Sequence, residues 1–267
     1  MIELLHKLTN DILFKMIFVQ NPDLLIRLVA LLLGVRLEDI KDLEVKNPEI
    51  KPDKLGDKFC KLDINMLVDG KLVDLEIQVE DEHDYPERSV YYWTRIFSGA
   101  LPERGDYRGL PQTIVISIVA FPLFRCEEYY SEFRLLEVRR HEQLTDKMCM
   151  LYFELPKVPD IENADSELMY WLLLFKAKTE EELTKIEEKG GPVMAQVIEA
   201  YRHIVASEEF KENERMRVRR EQDEASALSY AQWEKAIAIA KKMKDSGAEI
   251  SYIIEMTDLT VDDILRL

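Results

Sequence analysis

The chain has 267 residues, 47% of them hydrophobic and 33% charged, which excludes disorder throughout and suits one large domain or a domain with a smaller appendage. Its formal net charge of −16 excludes a broadly basic surface, so any nucleic-acid face must be basic only locally. Three scattered cysteines and four histidines without ligand spacing argue against a disulfide framework or a zinc site and for a reducing, cytoplasmic setting.

In chain order, the N-terminus shows no signal peptide, and Thr9 or Asn10 is placed to cap a first helix. Pro22 opens a second helix that Gly34 stops. That helix holds the longest apolar stretch, residues 24–33, which is interrupted by Arg27 and too short to cross a bilayer; no membrane partner is expected. Residues 42–79 alternate as strands do, 84–86 break the alternation, and 87–101 form an amphipathic helix closed by Pro102 and Gly105. Residues 113–121 are a β-branched run suited to a strand buried on both faces, and 132–138 and 148–155 are further strands. After Pro159 the chain reads as helices: 166–178, 180–188, 192–207, a charged stretch to 224, 230–244, and a short helix-turn-helix-like tail over 250–256 and 261–267. The order α-β-β-β-α-β followed by helices predicts an α/β core over 1–158 and a helical region over 159–267.

The segment 61–78 carries the chemistry. Asp69–Gly70 between two alternating runs predicts a two-residue hairpin in which Val68 pairs with Lys71. Ile64 then faces Leu75, Met66 faces Val73, Asp63 faces Glu76, and Lys61 faces Gln78. Leu62, Ile64, Met66 and Val68 share one face with Val73, Leu75, Ile77 and Val79, so a one-residue slip would mix polar with apolar. The other face gathers Lys61, Asp63, Asn65, Asp74, Glu76 and Gln78. Opposed strand residues bring like charges close, at a cost that a bridging divalent cation removes. A solvated face on which acids simply occur fits the same spacing.

These residues resemble a family. Asp11–Ile12–Leu13–Phe14–Lys15, Leu62–Asp63–Ile64, Glu76–Ile77–Gln78, Arg88 with Tyr91–Tyr92, Gly105–Asp106–Tyr107, the buried strand over 113–119 and the tail over 240–260 are similar, in order and spacing, to the Rpn-type recombination-promoting nucleases, also described as PD-(D/E)XK nuclease family transposases. The resemblance implies a restriction-endonuclease-like αβββαβ mixed sheet and a DNA endonuclease dependent on Mg²⁺ or Mn²⁺. It implies Asp63 and Glu76 as metal ligands, with the Ile77 carbonyl as a third. The family's usual Lys two beyond the Glu is here Gln78, which would position the attacking water; Lys61 is the candidate for the missing ammonium group.

Other candidates stay open between two readings. Asp11 and Lys15, one helical turn apart, are a capping and surface ion pair or an approach to the metal or a phosphate. Arg88, Tyr92 and Arg95 share a helix face that is either a contact for double-stranded DNA or a solvated face with an aromatic on the core. Tyr91 and Trp93 are expected in the core. The arginine-rich stretch 215–220 contacts nucleic acid, or is a solvated or intermolecular helix, and the acidic tail suits packing or homo-oligomerisation better than DNA reading. The competing function is a catalytically inactive module of the same fold, favoured by Gln78 and the negative charge.

Overall fold

The computed structural model describes residues 2–46, 49–50, 60–61, 63–101 and 105–267, with side chains left aside at 49, 50, 60 and 61. The chain divides into two compact units, Met1–Phe210 and Lys211–Leu267.

The first unit opens with helix α1 (Asp11–Gln20), capped as expected by Asn10, whose side chain accepts the Leu13 N–H at 3.0 Å. Helix α2 (Pro22–Leu33) ends at Gly34, whose φ of 65° needs a residue without Cβ strain. Strands β1 (Leu43–Val45), β2 (Glu49–Ile50), β3 (Cys60–Lys61), β4 (Ile64–Val68) and β5 (Lys71–Gln78) follow. Helix α3 (Tyr85–Gly99) starts at Tyr85 rather than at 87, because Pro86 sits comfortably in the first turn. Then come β6 (Thr113–Val119), β7 (Tyr130–Phe133), β8 (Met148–Glu154), α4 (Glu167–Lys176) and α5 (Glu180–Ala206).

The sheet has six strands in the order β1-β4-β5-β6-β8-β7. β4 and β5 are antiparallel, β5, β6 and β8 run parallel, and β1 and β7 are antiparallel edges. This is a mixed sheet flanked by helices, the PD-(D/E)XK nuclease-like α/β fold with a C-terminal helical region. β2 and β3 form a separate ribbon in which Lys61 pairs with Glu49 rather than with Gln78 as expected, because the β4–β5 ladder ends at Ile64–Leu75. The β4–β5 register is the predicted one, Ile64 with Leu75, Met66 with Val73 and Val68 with Lys71. Asp69 and Gly70, with φ of 47° and 79°, make the turn.

One face of the sheet carries Ile64, Met66, Val73, Leu75, Ile116 and Phe153 against α1, α2, α4 and α5 in a single apolar core. Phe14, Phe18, Trp171 and Phe175 pack ring to ring within it. α3 covers the other face, where Ile96 meets Val115 and Tyr85 meets Val119. The polar face of β5 is therefore not solvated: Asp74 is fully buried and Glu76 is 6% exposed. An inner strand between parallel and antiparallel neighbours is covered on both sides, which hairpin alternation alone does not disclose.

Several boundaries differ from the sequence reading. β7 covers only 130–133, and residues 134–147 leave the sheet as an arm. The two helices expected over 180–207 are both present within α5, separated by the non-helical backbone of Gly191 (φ 74°) before Pro192. The helices from 166 to 206 share the core of the first unit.

In the second unit, the long helix α6 (Glu208–Asp245, of which Lys211 onward belongs here) is followed by α7 (Ile250–Thr257) and α8 (Val261–Leu265). They close on Ala240, Ile253, Leu259 and Ile264. Among the described residues no single helix is long and apolar enough to cross a membrane.

Candidate active site

The site forms where β4 begins and β5 ends. The ladder stops at Ile64–Leu75, and one step further side chains take over from backbone. The Asp63 N–H donates to Glu76 Oε1 at 2.7 Å, and the Ile77 N–H donates to Asp63 Oδ2 at 2.9 Å. Each acid thus holds the backbone of the opposite strand. The expectation that Asp63 faces Glu76 is met in this reciprocal form.

Lys15 completes the cluster. Its Nζ lies 2.9 Å from Asp63 Oδ1, and the two side chains are 24% and 14% exposed. α1 presents Lys15 because Leu13, Phe14, Ile17 and Phe18 are buried and turn the neighbouring position toward the sheet end. Lys15 reaches Asp63 rather than the exposed Asp11.

The electrostatics are tense. Burial pushes the Glu76 carboxyl up to about 8, the Asp63 charge pushes the same way, and the Asp63 N–H, Lys15 and Arg88 offset only part of it. Asp74, on the same face two residues earlier, is raised well above the usual carboxylate range by burial, then by Glu76 and Asp63. Apart from the neighbouring Glu76 carboxyl, with which it shares a hydrogen bond that raises it further, Asp74 meets no hydrogen-bond partner among the described residues, and Asn65 Oδ1 on the strand opposite meets none. The alternation places Asp74 on this face, but no motif singles it out.

The donor chemistry fits a hard divalent cation. Two carboxylates lie side by side at a net electrostatic cost that positive charge would offset. In an extended strand one residue's N–H and C=O point to the same edge; Ile77 donates toward Asp63, while the Gln78 carbonyl accepts from Ala120 on the β6 side. The Ile77 carbonyl therefore opens on the edge of the acid pair. Among the described residues no three His, Cys, Asp or Glu side chains are grouped as metal ligands. Two carboxylates and a carbonyl match the usual Mg²⁺ habit of taking few protein ligands and filling the rest with water and phosphate.

The remaining candidates fall at different distances from this centre. The Gln78 amide donates to the Glu80 carbonyl at 2.8 Å, so its nitrogen is engaged along its own strand. The side chain of Lys61 lies outside the described residues. Arg88 is half-buried, pairs with Glu82 at 2.5 Å, lies over the Tyr85 ring at 5.1 Å, and is near enough to act on Glu76. Tyr92 packs half-buried against Ile96 and Val115, and Arg95 is also half-buried. Trp93 stacks on Phe97 and donates to the Thr113 carbonyl at 3.0 Å. α3 is pinned to the sheet by Tyr85 to Ser117 (2.9 Å) and Ser89 to Tyr152 (2.7 Å).

A mixed sheet with Asp63 just before β4 and Glu76 on β5, beside a lysine from the first helix, accords with a PD-(D/E)XK nuclease-like α/β fold. The chain belongs to the PD-(D/E)XK nuclease family transposases, whose family model matches residues 8–231. No curated protein and no solved structure matches the chain.

Proposed function

We propose that the protein is a Mg²⁺- or Mn²⁺-dependent endonuclease that hydrolyses phosphodiester bonds of double-stranded DNA in recombination or transposition. The observation that carries this reading is the Asp63–Glu76 pair, locked by reciprocal backbone bonds and touched by Lys15.

Asp63, Glu76 and the Ile77 carbonyl would hold the cation. A bound divalent ion supplies Lewis acidity toward a phosphate and a lowered pKa for water. The chain's own groups do the rest. The Ile77 N–H fixes the Asp63 carboxylate, and the Asp63 N–H fixes Glu76, so both acids are oriented before substrate arrives. Lys15 supplies the positive charge that Gln78 lacks and stands where it can orient water or steady charge developing on a phosphate oxygen. Arg88 offers a guanidinium, a second positive group beside the Lys15 ammonium, for the DNA backbone if it exchanges Glu82 for phosphate.

Cleavage of plasmid DNA with Mg²⁺ or Mn²⁺ tests the reading. Asp63→Asn keeps an acceptor for the Ile77 N–H while removing the charge, and is expected to lower cleavage by about 10²-fold or more. Mn²⁺ is expected to raise the Tm of the wild type and not of Asp63→Asn. Gln78 and the net charge of −16 favour the second reading, an inactive interaction module. Absence of both cleavage and a metal-dependent Tm shift would favour that module and end the nuclease proposal.

A further inference from the structure

The arginine beside the acid pair already holds a carboxylate of its own chain. Residues 79–84 connect β5 to α3 and leave from the sheet end that carries Glu76 and Ile77. Four of them are acidic: Glu80, Asp81, Glu82 and Asp84. The connection is folded by its own bonds. The Gln78 amide donates to the Glu80 carbonyl at 2.8 Å, and the His83 N–H donates to Asp81 Oδ1 at 2.9 Å. His83 is turned into the left-handed region, with φ of 63°. The turn brings the Glu82 side chain back to α3, where Arg88 Nη1 donates to its Oε2 at 2.5 Å.

The two partners are unequal. The Glu82 side chain is 57% exposed and that of Arg88 is 24% exposed. Arg88 also sits on a fixed turn of α3, because Tyr85 is bonded to Ser117 and Ser89 to Tyr152. Its guanidinium lies over the Tyr85 ring at 5.1 Å and acts on Glu76 through space. Glu82 can therefore turn into water while Arg88 stays beside the acid pair. The grip is partial as well. Arg88 reaches Glu82 through Nη1, whereas Arg27 holds Glu167 through both Nε and Nη2. The Arg88 Nε is buried and meets no hydrogen-bond partner among the described residues. A guanidinium can fork onto a phosphate with two bonds, and Glu82 does not use that capacity up.

Carboxylate and phosphate oxygens are alternative acceptors for one guanidinium. We propose that Arg88 is the seat for a DNA backbone phosphate beside the acid pair, and that Glu82 fills this seat in the substrate-free chain as a tethered competitor. The proposal takes its substrate from the nuclease reading and adds a control on that site. A tether of six residues gives Glu82 a high effective concentration at Arg88. A strand that brings several phosphates at once displaces it more readily than a single phosphate ion does.

Plasmid cleavage by the full chain with Mg²⁺ tests the control. Glu82→Gln is expected to lower KM about fivefold with kcat and Tm unchanged, as suits removal of a partly exposed ion pair. Glu80→Gln makes the same change of charge in the same segment and is expected to move KM by less than about twofold. In an Arg88→Met background, Glu82→Gln is expected to bring no gain. Fluorescence anisotropy of a labelled duplex, read with Mg²⁺ in the Asp63→Asn chain, is expected to show the same fivefold tightening apart from cleavage. A gain matched by Glu80→Gln, a gain that survives Arg88→Met, or no gain in a chain that cleaves overturns the proposal and leaves the nuclease reading standing. Tightened duplex binding in a protein whose wild type never cleaves would keep the phosphate seat and end the nuclease reading. Neither binding nor cleavage would end both.

Discussion

At the scale of residues, the proposed chemistry turns on Lys15. The motif ending in Gln78 lacks the ammonium group usual at that position, and the Gln78 amide is bound to the Glu80 carbonyl. Lys15 comes from α1, far away in sequence, and meets Asp63 at 2.9 Å. A point charge near a developing phosphate charge in a partly dry site is worth several orders of magnitude in rate. Lys15→Met is therefore expected to lower plasmid cleavage by about 10²–10⁴-fold, while Gln78→Ala costs about tenfold or less. Single-turnover rates separate these effects from metal affinity. Equal losses in the two variants would deny Lys15 the role. Asp63→Ala is a poorer probe than Asp63→Asn, because it also strands the Ile77 N–H and the Lys15 ammonium group.

At the scale of elements, the ends of β6 and β8 are tied together by a further buried acid. Glu154 closes β8, is fully buried, and accepts from the Leu123 N–H at 2.6 Å and the Phe124 N–H at 3.1 Å. Its other oxygen meets Lys157 Nζ at 2.8 Å, and Lys157 also donates to the Phe124 carbonyl. The clamp ties the turn after β6 to the turn after β8. Removing one partner of a buried pair leaves the other charge uncompensated, so Glu154→Ala is expected to destabilise by about 3–5 kcal/mol in urea unfolding. Glu154→Gln, which keeps acceptors for the N–H groups, is expected to cost less. An unchanged midpoint for Glu154→Ala would mean that the clamp contributes nothing.

For the molecule as a whole, the buried acids couple stability to pH. Glu76 has an ordinary value of 4.5 and is raised to about 8 in the folded chain, with Asp74 raised in the same direction. Between those values the folded state holds protons that the unfolded state releases, so stability falls as pH rises. The contribution is full below 4.5 and is lost as pH passes through about 8. The Tm of the metal-free protein is expected to fall across that window, and Mn²⁺ to recover more of it at the upper end, where no proton competes for Glu76. A Tm that rises with pH across the window would refute this account.

Hairpin register was legible because two-residue alternation and an Asp-Gly turn are local constraints, and both appear on the page of residues from Ile64 to Leu75. Helix starts at Asn10 and Pro22 were legible for the same reason, since caps and fixed φ values act over a few residues. The arm over 134–147 was not, because strand propensity persists where the chain leaves the sheet and only the absence of a pairing partner ends β7. Composition and spacing by themselves determined an α/β chain with Asp63 across from Glu76. Only the tertiary structure decided that Lys15 arrives from α1, that α3 buries Asp74 and Glu76, and that the charge of the site is held in a dry setting. Those three facts depend on which helix covers which face of the sheet, and such long-range packing leaves no period in the sequence.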